Sequence, residues 1–148
     1  MIAKEFLLQA YKTDRYIERM TERVRLLRDF TKKISPDLSD IPCDHIQNIY
    51  QLEDVTIKIA GLEKTIADCN ERLIETKKMI DEVIKLLDNP TYRLLLELRY
   101  LCYMQWLDIA HVLGYELRYT YKLHKKALQQ VETKQNLEMV APILVSSL

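Results

Sequence analysis

The chain has 148 residues, the length of a single domain, with 2 Gly and 4 Pro. Because tight turns depend on Gly and Pro, this scarcity argues against an all-β sandwich or barrel and against a Gly-rich phosphate loop. Charged residues make up 30% and apolar residues 48% of the chain, which excludes intrinsic disorder and is typical of a helical protein. The net charge is zero, but residues 89–134 hold 7 basic and 4 acidic side chains. This local positive excess favours an anionic partner for the C-terminal half.

The cysteines and the first residues bear on the compartment. Cys43, Cys69 and Cys102 are far apart and form no Cys-x-x-Cys pair, so we expect free thiols in a reducing cytoplasm, with Cys69 and Cys102 buried. The first residues run straight into charged side chains, without the apolar core of a secretory signal. No window reaches the roughly 18 uncharged apolar residues that a membrane span needs. We therefore expect a cytoplasmic protein without a membrane partner.

Residues 3–34 predict a long amphipathic helix. Apolar or small side chains recur at alternating steps of three and four, at Ala3, Phe6, Ala10, Thr13, Ile17, Met20, Val24, Leu27, Thr31 and Ile34. This spacing defines one helix face and approaches a coiled-coil seam. Pro36 and Pro42 then break the helix, and Asp44 is a candidate N-cap for the next one.

Residues 45–87 predict a second, longer helix with the clearest pattern in the sequence. One set of residues is spaced by seven, and a second set is offset from it by three. The two sets are Leu52, Ile59, Ile66, Leu73, Ile80 and Leu87, and Val55, Leu62, Cys69, Thr76 and Val83. A heptad seam of this length must be buried against another helix. The proline-containing loop favours the first helix folded back as an antiparallel hairpin, and pairing of the seam with a second chain is the alternative. Because the first helix is shorter by about ten residues, part of the second helix is left over for a dimer contact, and we expect a homodimer.

Asp88-Asn89-Pro90 ends the second helix, since Pro disfavours helical dihedrals in the residue before it and Asn or Asp can cap the next helix. Short helical segments follow at residues 91–103, 106–113 and 116–131. The predicted organisation is all-α: a helical hairpin at 1–88, a helix-turn-helix at 89–134, and an unassigned apolar tail at 135–148.

The helix-turn-helix interpretation depends on two small residues. Ala110 suits the point where two helices cross, and Gly114, four residues on, suits a turn that requires positive φ. Thr120 stands where such helices usually bury Val or Ile, so its hydroxyl must find a partner. This pattern also occurs in helical pairs that bind nothing.

The outward face of the last predicted helix is basic. Between Leu117 and Leu128 there are four cations and no acid. In a helix that enters the major groove, Arg118 and Lys122 suit guanine O6 and N7 or phosphate. Tyr121 suits stacking or a hydrogen bond to phosphate, and Lys125 and Lys126 suit phosphates. The alternative is that these cations only keep an exposed helix soluble.

Three stretches carry a family resemblance: RLLLELRYL (93–101), WLDIAHVLGY (106–115) and YKLHKKAL (121–128). With their intact spacing, they resemble region four of sigma-70-type transcription factors. The resemblance is closer to the small phage and prophage regulators of the ArpU- and RinA-like group. It implies duplex DNA binding in transcription regulation, with a recognition helix at 117–128. One departure is Glu116, which stands where the family has a Ser N-cap. It either brings a negative charge toward the DNA phosphates or makes a selective contact with cytosine N4.

The predicted DNA-contacting residues are Glu116, Leu117, Arg118, Tyr121, Lys122, His124, Lys125 and Lys126. The predicted partners are double-stranded DNA and a second copy of the chain, with RNA polymerase as a further candidate. Two alternatives stay open: a phage small terminase subunit, and a protein-interaction module, such as one docking on RNA polymerase, without DNA binding. We expect no enzyme, since there is no Ser/His/Asp order or nucleophile elbow. The three histidines lack metal-ligand spacing, so we expect no metal or cofactor.

Overall fold

The computed structural model describes the backbone of residues 2–34 and 42–146, and the side chains of residues 2–33 and 50–135. Every regular element in these ranges is a helix, which confirms the all-α class. The elements are α1 (Ile2–Ile34), α2 (Pro42–Lys85), α3 (Pro90–Leu96) running on into a π-helical segment (Glu97–Leu101), α4 (Trp106–Leu113) and α5 (Leu117–Ser146). In the described part of the chain, no helix is long and apolar enough to cross a membrane.

The predicted seams of α1 and α2 coincide with the buried faces of these helices. Each predicted seam residue from Ala3 to Thr31, and from Leu52 to Leu87, is buried or half-buried. The charged residues between them are mostly exposed and pair along the helix, as in the Arg25 guanidinium, which bonds both Glu22 and Asp29. The periodicity of three and four therefore identified the buried stripe correctly.

The start of α2 differs from the prediction. The helix begins at Pro42, so Asp44 lies inside its first turn and the prediction of Asp44 as N-cap is wrong. Proline suits a first helical position because its φ is already helical and the N–H that it lacks has no partner there. The side chains of residues 34–49 lie outside the described residues.

By their internal contacts, the residues group into two compact units. The middle unit is Thr13–Leu73; the terminal unit combines Met1–Lys12 with Ile74–Leu148. In the middle unit, Arg28 of α1 forms an ion pair with Glu63 of α2. The predicted domain boundaries at residues 88 and 134 stay predictions.

In the terminal unit, α3 packs on α4 and α5, and α4 packs on α5. Asn89 caps α3, since its side-chain oxygen accepts a hydrogen bond from the Thr91 N–H at 2.9 Å and Pro90 follows it. The fully buried or nearly buried side chains are Ala3, Leu7, Ala10, Ile80, Ile84, Leu87, Leu95, Leu96, Tyr100, Ile109, Ala110, Thr120, Leu123, His124, Ala127, Leu128 and Val131. These residues come from all five helices and the π-helical segment, so the core is shared among them.

Two further expectations need correction. Cys69 is buried as expected, but Cys102 is exposed, because it follows the last residue of the π-helical segment, where the chain leaves the helix. The last helix was expected to end near residue 131, but α5 continues to Ser146. Residues 132–141 contain neither Gly nor Pro, so no strong helix breaker stands at the predicted end.

Candidate nucleic-acid interface

The turn between α4 and α5 is set by Gly114. Its backbone lies in the left-handed region at φ 75° and ψ 27°, which glycine adopts without the steric cost that a Cβ brings. The N–H of Tyr115 donates to the carbonyl of Ala110 at 3.0 Å, and the Gly114 N–H bonds the carbonyl of His111. This is the hydrogen-bond pattern of a Schellman helix end. These carbonyls of α4 are therefore satisfied, and only three residues separate the end of α4 from the start of α5.

The first turn of α5 is fixed by Thr120, which is completely buried. Its N–H and its hydroxyl both donate to the carbonyl of Glu116, each at 2.9 Å. The hydroxyl thus has the partner that the sequence required. Because Thr120 is anchored in the core, the residues on either side of it have defined orientations.

The buried and basic residues of α5 lie on opposite sides of the helix. Thr120, Leu123, Ala127, Leu128 and Val131 are buried, whereas Arg118, Lys122, Lys125 and Lys126 are exposed. At about 100° per residue, three of the cations, Arg118, Lys122 and Lys125, point away from the centre of the buried stripe. We call these four cations together with Tyr121 the basic face. No cation of the basic face forms an ion pair within 4.0 Å with any described residue.

Tyr121 is exposed but its ring is held in place. It packs edge-on against the indole of Trp106 with centroids 5.1 Å apart. The Arg99 guanidinium lies over the same indole, 4.7 Å from its centroid, and donates to the carbonyl of Met104 at 2.9 Å. The N-terminal end of α4 therefore supports one edge of the basic face.

His124 is the predicted site residue that lies apart from the others. Its side chain is buried, its Nε2 is 2.6 Å from the Tyr100 hydroxyl, and its ring packs edge-on against Trp106 at 4.6 Å. Burial is the main cause that lowers the pKa of His124 to about 4, and the nearby cations Lys4 and Arg99 add to the effect. A neutral, buried imidazole is a core group, so we leave His124 out of the candidate interface.

Part of the basic face forms a depression. Leu117, Arg118, Tyr121, Lys122 and Lys125 line an open hollow of about 460 Å³. Leu117 is half-buried and Tyr121 is 45% exposed, so the hollow combines apolar surface with cations. Glu116 is exposed at the start of α5, next to this hollow in sequence. The structure thus brings five of the eight predicted residues to this hollow, with Glu116 at the start of α5 and Lys126 exposed farther around the helix.

Sequence reasoning did not identify the support that Arg99 and Trp106 give to Tyr121. Trp106 enters the sequence analysis only as the first residue of a stretch that carries the family resemblance, and nothing in the local pattern distinguishes Arg99 from other arginines. A cation over an aromatic ring is a tertiary contact between residues of different segments. Neither periodicity nor charge spacing encodes such a contact.

Comparison of the chain with protein-family models, with characterised proteins and with solved structures gives no match. Among the described residues, no group of three or more His, Cys, Asp or Glu side chains is arranged to hold a metal ion. The function of this chain is therefore inferred from its own residues and geometry.

Proposed function

We propose that this protein binds double-stranded DNA through the basic face of α5 and acts as a small phage-type transcriptional regulator. The observation that carries the proposal is the basic face: four exposed cations, without ion-pair partners among the described residues, on a helix whose opposite side is buried. Cations that satisfy no internal partner remain available to phosphates. An exposed helix that only needed solubility would more often mix charges of both signs.

The proposed arrangement is a helix-turn-helix, with the first turns of α5 in the major groove and α4 crossing the backbone. Arg118 and Lys122 then face guanine O6 and N7 or phosphates, while Lys125 and Lys126 neutralise phosphates farther along the helix. Gly114 supports this arrangement because the short turn that it allows keeps α4 close to the start of α5. Glu116 brings a negative charge toward the DNA. Its carboxylate can accept a hydrogen bond from the N4 amino group of cytosine.

For the rest of the chain, we propose an antiparallel hairpin of α1 and α2 and a homodimer. The hairpin is supported by the buried seams of both helices and by the ion pair between Arg28 and Glu63. Exposed apolar side chains support a protein contact in the middle unit: Leu26, Phe30, Tyr50 and Ile57. A two-fold dimer binds paired half-sites about 34–36 Å apart, or a multiple of that spacing.

The test is a fluorescence-anisotropy titration with random-sequence duplex DNA over a series of salt concentrations. Wild type is compared with Lys122→Glu/Lys125→Glu. For wild type, we expect the logarithm of the association constant to fall linearly with the logarithm of the salt concentration. In the double variant this line should be less steep, with a slope smaller in magnitude by about 2, one unit for each lost phosphate contact. The matched control is Lys58→Glu/Lys64→Glu, which makes the same charge change at exposed positions of the middle unit.

Three results would contradict the proposal. If wild type does not bind duplex DNA at low salt, the alternative of a protein-interaction module is favoured, and RNA polymerase is the first partner to test. If both double variants lose affinity equally, general charge rather than the basic face is responsible. A ring-sized assembly in size-exclusion chromatography with light scattering would favour a terminase small subunit over a dimeric regulator.

A further inference from the structure

We infer that the hollow on α5 recognises thymine, and that the C5-methyl group of this base lies between the side chains of Leu117 and Tyr121. This inference deepens the proposed DNA binding and depends on it. It starts from the mixed chemistry of the hollow, which is lined by one leucine and one tyrosine alongside Arg118, Lys122 and Lys125. The cations match the charge of a DNA backbone, and the apolar part calls for an apolar group on the same ligand.

Leu117 is the residue that sets this requirement. It is the first residue of α5, and the N-terminal residues of a recognition helix lie against base edges. A leucine has no donor or acceptor, so against guanine it would cover the O6 and N7 acceptors without replacing the water that they lose. In unmodified DNA the thymine methyl is the one apolar group that the major-groove base edges present. Leu117 thus favours thymine both by contact and by exclusion.

Tyr121 supplies the second wall. It lies four residues after Leu117, one helical turn farther along the same side of α5, and it lines the same hollow. Its ring is fixed by the edge-on contact with Trp106 at 5.1 Å, so little side-chain freedom is lost when a base approaches. Arg118 and Lys122, on the flanking positions, hold the neighbouring base edges or phosphates and set the register.

The test begins with selection of tight-binding duplexes from a random-sequence pool by the full-length wild-type protein. Each thymine in the selected site is then replaced by deoxyuridine, which removes the methyl group and keeps every hydrogen-bonding group. We expect at least one replacement to weaken wild-type binding about fourfold, the loss that corresponds to one methyl group no longer buried. Because only the DNA changes, the fold of the protein is not at issue.

The protein side of the test uses Leu117→Ser, with Val112→Ser as the matched control at an exposed position of α4. Circular-dichroism melts establish that both variants are folded. The sensitive thymine should lose its sensitivity in Leu117→Ser, so that the thymine and deoxyuridine duplexes bind this variant equally. In Val112→Ser the fourfold difference should persist.

The outcomes separate the two proposals. If wild type selects a site in which every thymine tolerates deoxyuridine, or in which the sensitivity persists in Leu117→Ser, the thymine inference is overturned and DNA binding stands. Binding with a steep salt dependence but no enriched sequence also overturns it. If wild type binds no duplex at low salt, the proposed function itself fails.

Discussion

The two compact units bury their side chains in different ways. In the middle unit the described residues that are fully or almost fully buried are Val24, Val55, Cys69 and Leu73, and most of the other seam positions are half-buried. In the terminal unit, residues such as Leu95, Ile109 and Val131 have no exposed surface. A seam along a long helix covers each side chain from one direction, whereas a core formed by several helices encloses it. The same apolar residue type should therefore contribute more to stability in the terminal unit.

The largest expected difference between the units comes from removing the same side chain in each. Ile109→Ala deletes a fully buried side chain of the terminal unit and should lower the free energy of unfolding by about 3–4 kcal/mol. Ile59→Ala removes a half-buried side chain of the middle unit and should cost about 1–2 kcal/mol. Urea denaturation followed by circular dichroism measures both. Equal losses would mean that a partner helix encloses Ile59 in solution, and a dimer would be the first explanation to examine.

The sequence predicts the buried residues of the middle unit better than those of the terminal unit, because the two units bury their side chains differently. The seam residues of α1 and α2 repeat at a fixed interval, so a local pattern is enough to place Ile59 or Cys69 on the buried side. The core of the terminal unit depends on which short helix packs against which, and no periodicity gives that. The sequence therefore predicts where α4 begins and ends, at Trp106 and Leu113. It does not predict that His124 is buried.

In the candidate interface, too, the sequence predicts some features and only the folded chain reveals others. The spacing of Arg118, Lys122 and Lys125 predicts one helix side, and the structure has them on one side. Thr120 is predicted to be buried because it stands where such helices usually bury Val or Ile, and the partner that its hydroxyl then needs is the carbonyl of Glu116. The environment of His124 combines Tyr100, Trp106 and a cation from the start of α1, which are distant in sequence, so only the folded chain reveals it.

A second difference between the units is their response to acid, because His124 lies in the core of the terminal unit. Its pKa is lowered from 6.5 to about 4 in the folded protein, so between these values the unfolded chain binds more protons than the folded one. The contribution of His124 to stability is therefore complete above about pH 6.5 and is lost as the pH falls toward 4. We expect the free energy of unfolding to fall by about 2 kcal/mol, a value that already includes the screening by solvent that reaches part of the ring.

Urea denaturation at pH 7 and pH 4.5 measures this loss. The difference between the two pH values should be smaller in His124→Gln than in wild type, because glutamine does not titrate. His111→Gln is the matched control, since it makes the same change at an exposed position of α4. If His124→Gln and His111→Gln retain the same acid sensitivity as wild type, acid acts through carboxylates and not through His124.

The smallest expected effect has opposite signs in the two units, and it uses the two glycines of the chain. Gly61 lies inside α2, in the middle unit, and a Cβ added there meets nothing within 4 Å. Gly61→Ala should therefore raise the free energy of unfolding by about 0.5–1 kcal/mol, because alanine loses less backbone entropy in a helix. Gly114 also has free space around an added Cβ, but its φ is +75°. Gly114→Ala should lower the free energy of unfolding by about 1–2 kcal/mol, since an L-residue is strained in that conformation.

Thermal and urea denaturation of the two alanine variants measure these shifts against wild type. Because neither added methyl group meets a neighbour, the backbone conformation alone accounts for the opposite signs. Stabilisation by Gly114→Ala would mean that the turn between α4 and α5 is not left-handed in solution. It would also remove the geometric basis for the close packing of α4 against the start of α5. If Gly114→Ala instead destabilises the protein as expected, an anisotropy titration of this variant tests whether the proposed DNA binding depends on the left-handed turn.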